Sequence, residues 1–536
     1  MKLKFIGAAK TVTGSFFVIE TGKTRLAVDC GLFQGPKEIQ QRNYKDFPIE
    51  PQSLDFLLVT HAHIDHTGLI PKLCKHGFKG PIYCSHATES LASIMLPDSG
   101  HIQESEIERK NRKLKRAGQP LMEPIYTVQD ALDCLPRFRS LNIDEIVVLT
   151  PEISVRFRDA GHILGSCIIE LWVEEDGKKQ KLVFSGDLGN DNQPIIKDPS
   201  IIENADYVIM ESTYGDRYHK APDTNRSDEL AKVIEETMHK GGNLVIPAFA
   251  VERTQDLLYD LVHLFNIGKL DPRIDIYIDS PLAISTTEIF MKHRELFDDE
   301  TRTFIDSCDD PLKLINLKYS RTQEDSMQLN LVKKNTIIIS ASGMCEAGRI
   351  KHHLKHNLWR PESTVLFVGY QAEGTLGRRI LDGEKLVNIH GEKIAVKADI
   401  RRIEAYSAHA DRGGLLKWLE HFAVPPQGII LVHGEEPSLL SLSEAIKEKY
   451  QIPVYIPEWL EEIELTPSQN LPSQAPAMAA EHAEPAQTKM DQALEAQALY
   501  LAVSKQLYQI FNDNWQQGNY EKIITYLKRI NTSISE

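Results

Sequence analysis

His61-Ala62-His63-Ile64-Asp65-His66 constrains this chain more than any other stretch. Four metal-capable side chains lie within six residues, directly after an apolar run, Phe56-Leu57-Leu58-Val59-Thr60. Such a run reads as a buried strand. The cluster therefore falls on the loop at the strand's end, where ligands can converge on one point. Imidazole nitrogen and carboxylate oxygen suit zinc or a similar divalent ion. Two His and an Asp at alternating positions, with an adjacent His, exceed what one tetrahedral ion needs from a single loop. The excess points to two metals.

Three further segments offer ligands in the same context. Gly161-His162-Ile163-Leu164-Gly165-Ser166 holds one His in a glycine-flanked loop. Lys181-Leu182-Val183-Phe184-Ser185-Gly186-Asp187 reads as a strand ending in a carboxylate. Gly428-Ile429-Ile430-Leu431-Val432-His433-Gly434 reads as a strand ending in a His. Each alone would pass for a satisfied turn residue. With the first cluster they fill two coordination shells. A carboxylate can bridge, one oxygen to each ion, and Asp187 is placed for that role.

The HxHxDH loop, the later lone His, the strand-end Asp and the last strand-end His resemble the metallo-β-lactamase superfamily. Glu211-Ser212-Thr213-Tyr214-Gly215-Asp216-Arg217, Pro247 to Gln255, Asp279-Ser280-Pro281-Leu282-Ala283 and Ser407-Ala408-His409-Ala410-Asp411 are similar to its β-CASP branch. That branch holds RNA-cleaving enzymes related to the pre-mRNA 3′-end nuclease and its prokaryotic counterparts. The resemblance covers about residues 1 to 457, with its motifs in the expected order. It implies an α/β fold: an αββα sandwich with an inserted, doubly wound β-CASP domain. It implies a ribonuclease, endo- or 5′-exo-acting, that works on single-stranded RNA with two Zn²⁺ per chain. By this likeness one ion takes His61, His63, His162 and Asp187, and the other takes Asp65, His66, Asp187 and His433. Asp29 matches a motif whose Asp supports the metals without binding them. Asp65 and Asp187 then belong to the catalytic set with Glu211 and His409. His409, positioned by Glu211, matches the general acid. In the branch acting mainly on DNA the position of His433 is usually Val, so His433 favours RNA.

Composition agrees without being decisive. A chain of 536 residues with 42% apolar content can hold two or three domains with a sizeable core. No apolar run approaches a membrane span, and the start runs straight into a strand-like pattern. Seven cysteines, widely spaced and without a CxxC pair, fit reduced thiols and a cytoplasmic setting. A net charge of −15 argues against a protein that coats nucleic acid in general. The most basic run, Arg109 to Arg116, follows acidic Glu104 to Glu108. It reads either as a solvated helix with i,i+4 pairs or as an RNA contact.

Strand and helix patterns divide the chain. Residues 1–215 form the first part of the metallo-β-lactamase domain. From 216 to 405, helical stretches Ser227 to Met238 and Glu252 to Phe265 alternate with strands at Asn243 to Pro247, Ile274 to Ile278, Thr336 to Ser340 and Thr364 to Val368. Such alternation implies a parallel, doubly wound sheet. Residues 406–465 return to the first domain, because His433 lies there. Residues 466–488 read as a Pro/Ala/Ser/Gln-rich linker. Residues 489–536 carry an apolar stripe at helical spacing. This extension reads as a helical pair packed on the body, or as an element that meets a partner or another copy of the chain.

Two loops could present backbone N–H groups to RNA phosphate. One is Ser340-Ala341-Ser342-Gly343-Met344, and the other is Gly369 to Leu376 with Gly374 and Thr375. Plain turns are the alternative. His352, His353 and His356 share one expected helix. They read as surface residues, with His353 offered as an RNA-phosphate contact. Other function classes stay in view: a thioester-type small-molecule hydrolase on the same core, a DNA-directed nuclease, and a scaffold. The Glu211/His409 pair and the insertion argue against the first. The complete ligand set argues against the last.

Overall fold

The computed structural model describes residues 1–465, except 176, 220–225, 307–311 and 313–314, and also residue 522. Met1–Gln469 form one compact unit. The expected linker and helical extension, residue 522 apart, lie outside the described residues.

Two seven-stranded sheets stack face to face. The first runs in the order Glu462–Glu464, Lys2–Phe5, Phe17–Glu20, Arg25–Val28, Phe56–Leu58, Ile82–Ser85, Phe138–Leu141. The second runs Val454–Tyr455, Gly428–Leu431, Tyr207–Met210, Lys178–Phe184, Cys167–Glu175, Ile153–Asp159, Ile146–Thr150. Alternation with period two decides which side chain goes where. Leu26, Val28, Phe56 and Leu58 face Phe157, Ile169, Leu182 and Phe184 between the sheets. Ala27, Leu57 and Val59 face the outer helices and pack with Ile70, Leu73 and Leu96. Val183, Val208 and Leu431 face Leu415, Trp418 and Leu442 on the other side. Strands covered on both faces read as continuous apolar runs, which is why Phe56 to Val59 has no polar break. Each such buried side chain contributes roughly 1.5–3 kcal/mol relative to exposure.

The insertion builds its own six-stranded sheet, in the order Leu317–Tyr319, Asp275–Ile278, Thr336–Ser340, Asn243–Pro247, Thr364–Phe367, Asp399–Arg402. Every pairing in it is parallel. Leu244, Ile276 and Ile337 pack toward helices Arg226–His239 and Arg253–Asn266. Val245, Ile338 and Val365 pack the other way, toward helices Ile350–Asn357 and Leu376–Leu381. The expected doubly wound arrangement is therefore present.

One helix is longer than the sequence pattern suggests. The acidic-then-basic stretch belongs to a 31-residue helix, His86–Arg116, capped by the Ser85 side chain. Pro97 sits inside it and interrupts the pattern a reader would follow. Its first turns, with Ala87 and Leu91, join Ala62, Ile163 and Leu164 in a small core. Val251, Ile289 and Phe290 of the insertion complete that core, so it seals the two parts together.

Candidate metal centre and cleft

Each ligand-type residue lies just past a strand. The strands end earlier than the apolar runs: at Leu58, Phe184 and Leu431. After Leu58 the chain leaves the ladder because Asp29 captures it. Asp29 accepts from the Thr60 N–H at 2.8 Å and from the Thr60 hydroxyl at 2.9 Å. His63 then starts a one-turn helix, Ile64–Thr67, which turns Asp65 and His66 toward the same centre. Two backbone bonds clamp this turn to the strand end that carries Asp29, Cys30 N to His66 O and Leu32 N to Ile64 O, and a third, Ser15 N to Asp65 O, ties it to the loop before Phe17–Glu20. Gly31 is obligatory there, since a Cβ on it would lie 1.6 Å from the Asp65 carbonyl oxygen.

The side chains converge. His63 Nδ1 lies 3.1 Å from His61 Nε2 and 3.2 Å from His162 Nε2. Asp187 Oδ2 is 3.5 Å from both of those Nε2 atoms. Asp187 Oδ1 lies 3.3 Å from His66 Nε2 and 3.5 Å from His433 Nδ1. His433 Nε2 is 3.6 Å from Asp65 Oδ2. These seven form two groups: His61, His63, His162 and Asp187, and beside them Asp65, His66 and His433; Asp187 also converges with Glu211 and His409.

This donor set fits divalent metal. His63 Nδ1 faces two other ring nitrogens at 3.1–3.2 Å and can donate a proton to at most one of them, so at least one lone pair is left facing another, which a shared cation would satisfy. Asp187 Oδ1 and His162 Nδ1 are buried with no hydrogen-bond partner among the described residues. Burial presses His61 and His162 well below their ordinary range and holds His63 at about 4. Neutral imidazole is the form a metal takes.

A second layer orients the rings. His66 Nδ1 donates to Asp29 at 2.7 Å. His61 Nδ1 donates to the Thr60 hydroxyl at 3.0 Å, which itself donates to Asp29. His433 Nδ1 donates to the Thr213 hydroxyl at 3.1 Å. In His61 and His66 these bonds leave Nε2 as the inward-facing atom. Sequence reasoning misses Thr60 and Thr213, because a hydroxyl beside a motif carries no signal there.

His409 stands next to this floor without belonging to either group of the seven. Its Nδ1 lies 3.1 and 3.2 Å from the two oxygens of Glu211. Glu211 also accepts from Leu188 N at 2.6 Å, which fixes the carboxylate. Burial lowers the His409 pKa, but the Glu211 charge and hydrogen bond outweigh it and push it up to about 9. The segment is tied to the Asp187 loop: Ala410 N donates to Leu188 O, and Asn190 Nδ2 donates to the carbonyls of Ser407 and His409. From the insertion, Arg253 Nη1 donates to Tyr406 O at 2.7 Å, and Glu252 accepts from Leu164 N at 2.9 Å. The pair Glu252–Arg253 thus holds both the His162 loop and the His409 segment.

The floor opens into a cleft of about 1120 Å³ between the sandwich and the insertion. Phe249, half-buried, lines it with its ring centroid 6.2 Å from His63. The Ser342–Gly343 loop also lines or backs this wall. A Cβ on Gly343 would lie 2.6 Å from the Phe249 ring, so that glycine serves packing. The Ser342 hydroxyl is used within its own loop, accepting from Ala347 N at 3.3 Å. Thr375 lines the cleft, but its hydroxyl caps helix Leu376–Leu381 and donates to Ala372 O at 2.7 Å. Gly374 is an exposed turn residue at φ +78°.

His353 requires a correction. It is neither a surface residue nor placed to touch RNA. It is fully buried, and its Nε2 donates to Asp279 at 2.6 Å. Helix geometry explains this: His352 and His356 share a face at i and i+4, and His353 is rotated inward. His352 and His356 are exposed and line the cleft.

No helix among the described residues is long and apolar enough to cross a membrane. The metallo-beta-lactamase superfamily matches residues 10–135, the Beta-Casp domain residues 254–380, and the Zn-dependent metallo-hydrolase RNA specificity domain residues 393–457. The chain is 36% identical over 446 residues to Ribonuclease TTHA0252 of Thermus thermophilus, covering 83% of this chain and 96% of that protein. It is 30% identical over 474 residues to Transcription termination factor FttA of Methanocaldococcus jannaschii, covering 86% and 71%. An RNase J-like protein of the same organism is 30% identical over 457 residues, covering 85% and 97%. The chain belongs to the metallo-β-lactamase superfamily, in its β-CASP ribonuclease branch.

Proposed function

We propose that this hydrolytic nuclease cleaves phosphodiester bonds of single-stranded RNA in the cleft between the sandwich and the insertion, with two zinc ions at the floor. The carrying observation is the placement of Asp187. One of its oxygens faces His61 and His162, and the other faces His66 and His433. A shared carboxylate between two imidazole sets is what a two-ion site requires. In this reading His61, His63, His162 and Asp187 hold one ion, and Asp65, His66, Asp187 and His433 hold the other. Bound zinc would lower the pKa of water and polarise the phosphoryl group.

The chain's own residues do the rest. Asp29, Thr60 and Thr213 keep the ring nitrogens aimed inward. Glu211 accepts from His409 Nδ1–H and favours the imidazolium, so Nε2 also carries a proton, and that proton goes to the departing 3′-oxygen. Insertion residues such as Phe249 wall the cleft and limit water. The relatives named as ribonucleases support RNA as the substrate class, and His433 agrees with it. The thioester-hydrolase alternative loses weight because a cleft of this size is larger than a small acyl substrate needs. A cytoplasmic setting is part of this proposal.

Elemental analysis and cleavage of labelled single-stranded RNA and DNA test it together. About two zinc ions per chain and preferential RNA cleavage are expected. His409→Ala should keep the metal and slow cleavage about 10²–10⁴-fold. Metal-free protein purified without chelator, or equal cleavage of DNA, would sink the reading.

A further inference from the structure

A second cluster of charged side chains lies along the same cleft, away from the metal floor. Helix His86–Arg116 turns one face to the cleft through Met95, Asp98, Ile102, Glu106 and Arg109. These positions recur at i+3 and i+4, so the helix runs along the cleft wall. Its Leu91 end packs beside the metal loop. Arg109 follows Leu91 by 18 residues. At 1.5 Å per residue it stands up to ~27 Å away along the axis.

Three elements meet at that far end. Arg109 Nη1 donates to His390 Nδ1 at 3.4 Å. The His390 and His352 rings lie 4.6 Å apart at 33°. His390 and Gly391 form the turn between strands Leu386–Ile389 and Glu392–Ala395, with φ +55° and +85°. Two left-handed residues in a two-residue hairpin make a type I′ turn, whose first place favours Asn. A histidine there is an unusual choice, and it holds an imidazole out at the tip. Lys351 and Lys110 line the cleft beside it. Lys351 donates to the Glu346 carbonyl, and no ion pair to Arg109, Lys110 or Lys351 forms among the described residues. Partial desolvation at the cleft wall, then the His352 ring and the neighbouring Lys351 and Arg109, hold His390 at about 4, and partial desolvation also lowers His352, so both rings are neutral near pH 7. Arg109, Lys110 and Lys351 bring positive charge together beside two neutral rings that can offer N–H donors, with no acid ion-paired to these cations among the described residues, and such a cluster suits an anion.

We propose that Arg109, His352 and His390, with Lys110 and Lys351, form a distal phosphate-binding subsite that grips the backbone of RNA whose scissile bond lies at the metal centre. The proposal rests on the RNA-cleaving reading above. It adds a length requirement. At about 3.4 Å per stacked nucleotide, ~27 Å corresponds to roughly eight nucleotides. Shorter RNA reaches the floor but not the subsite.

The test uses the full-length metal-loaded protein and the double variant Arg109→Gln/His390→Asn. Both positions are exposed, and Asn suits the I′ turn, so the fold is spared. Cleavage is measured on oligouridylates of about 4 and about 20 nucleotides, each with 5′-hydroxyl, monophosphate or triphosphate ends. Binding of the longer RNA is measured by anisotropy against salt. The variant should raise KM on the long RNA about tenfold, leave kcat and the short RNA unchanged, and flatten the salt slope by about one contact. The three 5′ ends should behave alike. An equal KM change on both lengths, or no change on either, overturns the subsite. A loss confined to 5′-phosphorylated RNA overturns the backbone assignment in favour of end recognition. Wild-type protein that cleaves no RNA would sink the proposed function alone. The salt slope would then still decide the subsite, and an unaltered slope would overturn it.

Discussion

Two histidine-rich segments, the His61–His66 loop and the helix Ile350–Asn357, look alike on paper and differ in what faces their nitrogens. In the loop, ring nitrogens meet other ring nitrogens at 3.1–3.4 Å, and a carboxylate oxygen among them has no donor. In the helix, the one buried ring meets an acceptor. His353 Nε2 donates to Asp279, which also accepts from Ser326 Oγ at 2.6 Å and Arg349 Nη1 at 2.7 Å. A donor on an acceptor completes a structural contact. A ring nitrogen that faces two others can donate to at most one of them, and the lone pair left over calls for a cation. Histidine density is therefore a weak signal, and the partner of each ring nitrogen is the strong one.

Asp187→Asn should give the largest effect, because it strikes both metal groups at once. The expected outcome is loss of bound zinc from both sites and a fall in activity of more than about 10⁴-fold. Elemental analysis with single-turnover cleavage checks it. Retention of both ions at full occupancy would break the comparison at its first term.

Asp279→Ala tests the second term. It leaves Arg349 and His353 without their shared acceptor. Removing one partner of a buried pair costs about 3–5 kcal/mol. Denaturant unfolding should show that loss while zinc content stays unchanged. A drop in zinc with unchanged stability would mean that the helix histidines, too, serve a metal.

Glu211→Gln is smaller and is read by pH. A general acid works below its pKa and fails above it. The Glu211 carboxylate raises His409, and burial opposes it. Without the Glu211 carboxylate, only the weaker pull of Asp187 and Asp65 opposes burial. The alkaline limb of kcat should then move to lower pH by about a unit or more, with the metal retained. An unmoved limb would assign the leaving-group proton to another residue.

The legible part of the site is the part with a period or a spacing. Phe56 to Thr60 announces a strand because both of its faces are covered, and the loop after it announces ligands. The strand nonetheless stops at Leu58, since Asp29 binds Thr60 from a neighbouring strand's end. Contacts of that kind join residues 31 apart, and no local pattern encodes them. The same holds for Thr213 on His433 and for Glu252 on Leu164, whose partners are 220 and 88 residues away. His353 escapes a reading by sequence because one rotation along a helix separates a surface ring from a buried one. Arg109 is visible as part of a basic run. Its meeting with His390 depends on how the insertion lies over the long helix, and sequence spacing does not contain that.

Removing residues 466–536 should have the smallest effect on chemistry. Every proposed ligand, with Glu211 and His409, lies at or before His433. The first compact unit closes its sandwich before the cut: Glu462–Glu464 pairs with Lys2–Phe5 at the edge of the first sheet, and Leu465 N donates to Met1 O. No contact in the cleft depends on residues after Leu465 among those described. The Pro/Ala-rich composition past that point offers little apolar surface to bury, so weak coupling is expected. The truncated protein should keep its zinc and its rate on short RNA. The apolar stripe in residues 489–536 still needs cover, so light scattering on both forms asks whether the tail joins two chains. A truncated protein that is insoluble, or that has lost zinc, would place the tail in the core and move the boundary of the catalytic unit beyond Leu465.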